Sequence, residues 1–415
     1  MSPINQQSIF SRYISLAGAN FLSAIFGFLV AALLARQFGP AGFGAISLAT
    51  SLVSYAIVIS NFGTVLHAVR MVAMGENSLE QMIPVVISIR LLLGIILFML
   101  LSVAAYLIPQ LYESRHLIVL FAMTLFSNAI LLTWVPQAVH RTHAISASRV
   151  MLQFLNLGLL YLFLQFDSSL YMAPIALIMA EIMVAFGLIL SIRSYVKGVN
   201  PLPGFAAMKA VLRECSPIGM TQLVRALALA SDLVILGMMS VYSDVGIYAT
   251  AYKLYLFLLS LGSAYFVILL PRIAERAASN SLILKELRLS FRRVLPVVTG
   301  VVIVIWFSAD LLIELLFGAG YGGAADVLRV LSVAMFANVI GRHFRQVLLA
   351  KKMQAIDLKQ SGFSAGVHLV SKILLIPFFG IIGCALGTLI GELTLIIGQA
   401  MAVRKEISNN GGSRL

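Results

Sequence analysis

The sequence predicts an all-α polytopic membrane protein with about twelve transmembrane helices. Three observations predict it. Of 415 residues, 60% are hydrophobic and only 11% charged, with a mean hydropathy of +1.00, whereas a water-soluble domain carries about 25% charged residues. The apolar residues fall in runs of about 20, the length that crosses a bilayer as a helix. These runs do not alternate apolar with polar residues, as barrel strands would.

The runs are Tyr13–Ala35, Phe43–Ala68, Met82–Ile108, Leu117–Val139, Ile145–Phe166, Tyr171–Ile192, Pro217–Met239, Gly246–Leu270, Val294–Phe317, Ala325–Ala350, Gln360–Pro377 and Gly380–Val403. Together they leave no room for a soluble domain. Before the first run the only basic residue is Arg12. The run is also longer than the apolar core of a signal peptide, so it is expected to stay as the first helix.

The formal net charge is +13. Such a surplus can serve nucleic acid, but here its placement argues against that partner. Arg70, Arg141, Arg193, Arg272, Lys285, Arg345, Lys359, Arg404 and their basic neighbours fall in one set of alternate connections, and Arg36, Arg115 and Arg329 in the other. Positive charge marks the cytoplasmic side, so both termini are expected in the cytoplasm. The two cysteines, Cys215 and Cys384, suggest neither a disulfide framework nor a metal set. No cofactor is expected.

An internal repeat organises the spans. Leu33–Leu52, LLARQFGPAGFGAISLATSL, and Gly237–Leu256, GMMSVYSDVGIYATAYKLYL, each join one long helix to another through a short external turn. An offset of 204 places Gly42 on Gly246 and Ala45 on Ala249. Six helices separate the copies, and an even count makes them parallel. The expected plan is therefore two parallel six-helix halves around a central cavity. Residues 1–192 form the first half, 193–213 a cytoplasmic linker, 214–403 the second half and 404–415 a cytoplasmic tail. Gly39, Pro40, Gly42 and Gly44 suit a sharp turn, as does Gly246 in the second copy. Gly383, Gly387 and Gly391 recur every four residues and offer a face that another helix can approach closely.

Three segments resemble a known family. Leu34–Gly63 looks like the start of the polysaccharide transporters, the O-antigen and exopolysaccharide flippases of the multidrug/oligosaccharidyl-lipid/polysaccharide exporter superfamily. Glu314–Ser332, ELLFGAGYGGAADVLRVLS, resembles the family's turn before its tenth helix, and Ile376–Leu393, IPFFGIIGCALGTLIGEL, its last helical junction. The resemblance implies a flippase in a bacterial inner membrane. Its cargo would be an oligosaccharide on polyprenyl pyrophosphate, moved between leaflets of the lipid bilayer by alternating access. A polysaccharide polymerase and a chain-length regulator are the partners it suggests.

Ionisable groups inside spans are costly and mark polar pathways. The cations there are Arg90, Arg225, Lys253, Arg342 and Lys372; the acids include Glu181, Asp232 and Glu392. The cations suit a pyrophosphate headgroup, with Arg225 and Lys253 foremost, while Arg90 and Arg342 lie near enough to the cytoplasmic end to snorkel. Asp232, Glu181 and Glu392 are candidates for ion coupling. Absence of a GxxxxGK[ST] loop argues against ATP hydrolysis by this chain.

Rival readings are a multidrug or cation antiporter of the same superfamily, which would favour acidic cavities, and a membrane polysaccharide polymerase or acyltransferase. The external connections are short for a polymerase. His140 and His143 flank Arg141, but no third ligand for a metal stands near them.

Overall fold

The structure, a computed structural model, describes residues 6–139, 141–193, 203–276 and 279–411, but within helices not the side chains of 6–17, 142, 224–230, 264, 267, 407 and 409–411. His140, residues 194–202 of the expected linker and the Arg225 side chain therefore lie outside the described residues. The helices are α1 (Gln6–Asn61), α2 (Thr64–Ala73), α3 (Leu79–Leu107), α4 (Arg115–Ala122), α5 (Thr124–Ile130), α6 (Trp134–Ala138) and α7 (Thr142–Leu164). They continue with α8 (Met172–Ile192), α9 (Phe205–Met239), α10 (Tyr242–Glu275), α11 (Asn280–Phe317), α12 (Ala324–Ala350) and α13 (Gln354–Gly411). A 3-10 turn, Pro109–Ser114, precedes α4.

Among the described residues, nine segments are long and apolar enough to cross a membrane. Two of them, Gly18–Ala73 and Gln354–Glu406, hold 56 and 53 residues. At about 1.5 Å per residue each is about 80 Å long, against a hydrocarbon core of about 30 Å. Each therefore holds two of the expected spans, and α9 carries the expected seventh. Large apolar side chains stand outward along these helices, with Phe307 83% and Phe378 81% exposed. Lipid is their solvent.

The double-length helices bend at one residue each. Gly39 (φ 64°, ψ −176°) interrupts α1, and Gly380 (φ 54°, ψ −131°) interrupts α13. An L-residue is strained at such positive φ. Pro40 then opens the second arm of α1 as a first helical residue, where its missing N–H is no loss. The expected external loop after Ala35 is thus a single-residue break. Gly39→Ala and Gly380→Ala should each destabilise the protein by about 1–3 kcal/mol. A melting curve in detergent checks this, with Gly300→Ala as control, since a methyl there meets nothing within 4 Å. Equal melting of all three proteins would show that the bends do not need glycine.

One expected span is corrected. Leu117–Val139 is not continuous but is broken into α4, α5 and α6. The main break covers Leu131–Thr133, with Leu131 extended (φ −77°, ψ 91°). Pro136 is the cause we assign. It has no N–H to give the Leu132 carbonyl four residues back, and its ring crowds that carbonyl.

The chain divides into two compact units, one of residues Met1–Phe38 and Ala45–Ala230, the other of Gly39–Gly44 and Ser231–Leu415. In the first unit α2 packs on α6, α3 on α4 and α5, and α7 on α8. Trp134, Val86, Met82, Ile83 and Ala68 share one core cluster. A second cluster joins Leu131 to Val184, Ala185 and Leu188 of α8. Ser78 caps α3 in a reciprocal box with Gln81. In the second unit α12 is the hub, packed against α10, α11 and α13.

Candidate functional site

The two arms of α13 fold back on each other, and this positions the site. Contacts run antiparallel from the Gly380 bend: Gly383 sits on the Leu375 carbonyl, Gly387 on Lys372, Gly391 on His368 and Gly398 on Gln360. The glycine stripe expected to receive another helix thus receives the preceding arm of the same helix. Its missing side chains form a groove that holds polar residues of the facing arm. Ser364 donates to the Gly391 carbonyl at 2.7 Å, and Gln399 to Asp357 at 3.0 Å.

Asp232, near the end of α9, is the centre. It is 1% exposed, and Lys372 is 0% exposed. Lys372 Nζ donates to Asp232 Oδ1. On the other oxygen, Oδ2, Tyr248 Oη donates at 2.6 Å and Thr388 Oγ1 at 3.0 Å. His368 Nε2 stands 3.7 Å from Oδ1 and 3.3 Å from Thr388 Oγ1. Four helical segments thus converge on one carboxylate: the end of α9, the start of α10 and both arms of α13. Each carboxylate oxygen has a donor, as a charge removed from water requires.

Tyr248 begins a ladder on α10. Its ring stacks on Tyr252 at 5.8 Å between centroids, and Tyr252 stacks on Tyr255 at 5.7 Å. Tyr255 lies in the electrostatic field of Glu392 and Arg342. Glu392 Oε1 accepts from Asn338 Nδ2 at 2.9 Å, while its Oε2 is buried without a hydrogen bond among the described residues. Arg342 also lies 5.7 Å from the centre of the Phe266 ring. A polar seam therefore runs from the Asp232–Lys372 pair towards Arg342.

Of the expected site residues, Asp232, Lys372, Glu392 and Arg342 are thus brought together, all in the second unit. Lys253 stands apart. It is half-buried on α10, about 140° around the axis from Tyr248. Among the described residues its ammonium has neither a hydrogen bond nor an ion pair. Arg90 and Glu181 belong to the first unit. Glu181 is 5% exposed and accepts from Ser127 of α5. Arg90 is 3% exposed on α3, buried rather than snorkelling. Gly44 and Gly246 meet directly: a methyl on Gly44 would strike the Tyr242 carbonyl, and one on Gly246 the Pro40 carbonyl. This contact is symmetric under an offset of 202, against the 204 suggested by the letters.

His368, Tyr248 and Thr388 were not among the expected site residues. The signal for His368 was legible: Gln360, Ser364, His368 and Lys372 recur every four residues along an apolar span, one polar face of a helix. Tyr248 and Thr388 are uncharged and gave no comparable signal.

The described residues form a helical chain with many segments long and apolar enough to cross a membrane, and they bury a network of charges. Comparison agrees on the fold. The lipid II flippase MurJ, in an inward closed conformation, superposes with a TM-score of 0.74 at 18% identity, covering 96% of this chain and 90% of that one. An inward-facing multidrug resistance MATE family transporter of the MOP superfamily gives 0.65 at 17% identity, over 98% and 96%. A mutant of the Vibrio cholerae MATE transporter VcmN gives 0.62 at 17%, over 97% and 98%. In sequence, the "Probable flippase AglR" of Haloferax volcanii is 29% identical over 186 residues, or 42% of this chain. The chain spans 37% of the length of that relative. The profile of the polysaccharide biosynthesis protein family matches residues 10–276, more than half the chain. The chain belongs to that family.

Proposed function

We propose that this protein is a flippase that carries a polyprenyl-pyrophosphate-linked oligosaccharide, an O-antigen or similar repeat unit, across the bacterial inner membrane. It moves the cargo from the cytoplasmic to the periplasmic leaflet by alternating access, with both termini in the cytoplasm. One observation carries the choice of cargo: among the described residues Lys253 and Arg90 stand in the spans without carboxylates, while Asp232, Glu181 and Glu392 each accept a hydrogen bond. Lys253 and Arg90 have no acidic partner among the described residues. Asp232 is met by Lys372, Glu181 by Ser127 and Glu392 by Asn338. Free cations suit an anionic headgroup. A cationic drug would need the reverse, which favours the flippase over a multidrug or cation antiporter. Supply of repeat units to a polysaccharide polymerase and a chain-length regulator follows from this reading.

Lys253 is the headgroup contact this reading weighs most. Lys253→Gln should lower surface polysaccharide at least about tenfold, the loss of roughly 1.4 kcal/mol of binding or more, at normal protein abundance. The decisive test deletes the gene and assays polyprenyl-linked oligosaccharide in each leaflet. Single repeat units trapped on the cytoplasmic side support the flippase. Unchanged surface polysaccharide with new sensitivity to cationic drugs overturns it in favour of the antiporter.

A further inference from the structure

We propose that the first unit contains an anion-binding site of its own, at the break in the fourth span, in which the Arg90 guanidinium and the Trp134 indole N–H hold a phosphate-type anion. The argument begins with the cost of Arg90. Its guanidinium keeps its proton at any physiological pH. Arg90 stands about 16 Å along α3 from Leu79, inside a segment long and apolar enough to cross a membrane. Removing such an ion from water costs several kcal/mol even after relaxation. Buried charges are therefore paired, yet Arg90 has no carboxylate and no hydrogen bond among the described residues, and its Nε is shut off from solvent. The missing partner is then a group that the described chain does not supply.

Three features around Arg90 say what that group is. A guanidinium presents a planar fork of N–H donors that matches two oxygens of one phosphate. One helical turn back on the same face of α3 is Val86, which shares a core cluster with Trp134 and Leu132. The Trp134 Nε1–H is itself buried without a partner, and an indole can only donate. Two unmatched donors thus lie at one core cluster, Trp134 within it and Arg90 one helical turn beyond its member Val86. The third feature is the break: Leu131–Thr133 is not helical. Irregular backbone at membrane depth occurs where it is packed in protein or lines a polar cavity. An anion seated there satisfies both donors. The same chemistry could come from free phosphate or from a lipid phosphate, and the site does not depend on which cargo the protein carries.

The chain has two tryptophans, Trp134 and Trp306. Trp306 is 46% exposed and bonds to Arg329 only through its backbone carbonyl. Trp306→Phe therefore leaves Trp134 as the single reporter. The purified full chain in a neutral detergent is titrated with inorganic phosphate and pyrophosphate, and separately placed in vesicles with and without anionic phospholipid. A saturable change in Trp134 fluorescence is expected, retained in Arg90→Lys and lost, at least about tenfold in affinity, in Arg90→Gln. A response to inorganic anion alone identifies a free-anion site. A response confined to anionic vesicles identifies a lipid phosphate. No saturable response of the parent to any of these probes overturns the site, whether or not Arg90→Gln folds. An equal response in parent and Arg90→Gln overturns it too.

Discussion

Lys372→Met is expected to destabilise the protein by about 3–5 kcal/mol, because it leaves Asp232 charged and uncompensated in the interior. Methionine keeps the unbranched stem that fills the groove over Gly387, so lost packing adds little. Asp232→Asn should cost a similar amount by stranding the Lys372 ammonium, which is 0% exposed. The double variant is the sharper test. The introduced asparagine amide would still accept from Tyr248 and Thr388, and no charge would remain, so most of the stability should return. A buried pair of this kind gains little over a neutral replacement, because desolvation offsets the attraction. In a unit of this size 1 kcal/mol moves the melting temperature by about 2–4 °C. Each single variant should therefore melt about 6–20 °C below the parent, and the double variant within a few degrees of it. If the double variant melts as low as the singles, the pair is not what holds these segments. If stability returns but polysaccharide export does not, the pair works in the transport cycle and not only in the fold.

Much of this arrangement was written in local sequence, and the remainder was not, for identifiable reasons. Span length and composition placed the helices because lipid imposes one requirement, about 20 apolar residues, everywhere. Gly39 was legible as part of a turn beside Pro40, whereas Gly380 was read only as the start of the last span. The break before Trp134 was also signalled, by Pro136 near the end of the expected span, but the apolar run around it hid the interruption. The spacing of Gly383, Gly387 and Gly391 announced close approach without naming the visitor. Asp232 shows the limit. Its counter-ion is Lys372, 140 residues away. Helical periodicity says which residues share a face. It is silent about which distant face will meet it, and the buried pair exists only because α13 folds back at one glycine.

The crossing of the two repeat motifs should be the least tolerant place in the second unit. An alanine methyl at position 44 would strike the Tyr242 carbonyl and lie 2.9 Å from Gly246 N. At position 246 it would strike the Pro40 carbonyl and lie 3.0 Å from Gly44 N. These neighbours are backbone in the first turns of two helices, so no side chain can swing away. Overpacking a core costs about 1–3 kcal/mol where side chains can shift, and a backbone collision should reach or exceed the top of that range. We expect Gly44→Ala and Gly246→Ala each to lower melting by at least about 6 °C, with loss of folded protein at growth temperature. Gly262→Ala, on the same α10 and with nothing within 4 Å of the added methyl, should be neutral or slightly stabilising, since alanine favours a helix by up to about 1 kcal/mol. The two damaging changes share one contact, so the double variant should lose clearly less than the sum of the singles. Additive losses would mean that the glycines serve separate neighbours. Melting of Gly44→Ala equal to that of Gly262→Ala would mean that the two helices do not cross this closely, and the assignment of residues 39–44 to the second unit would fall with it.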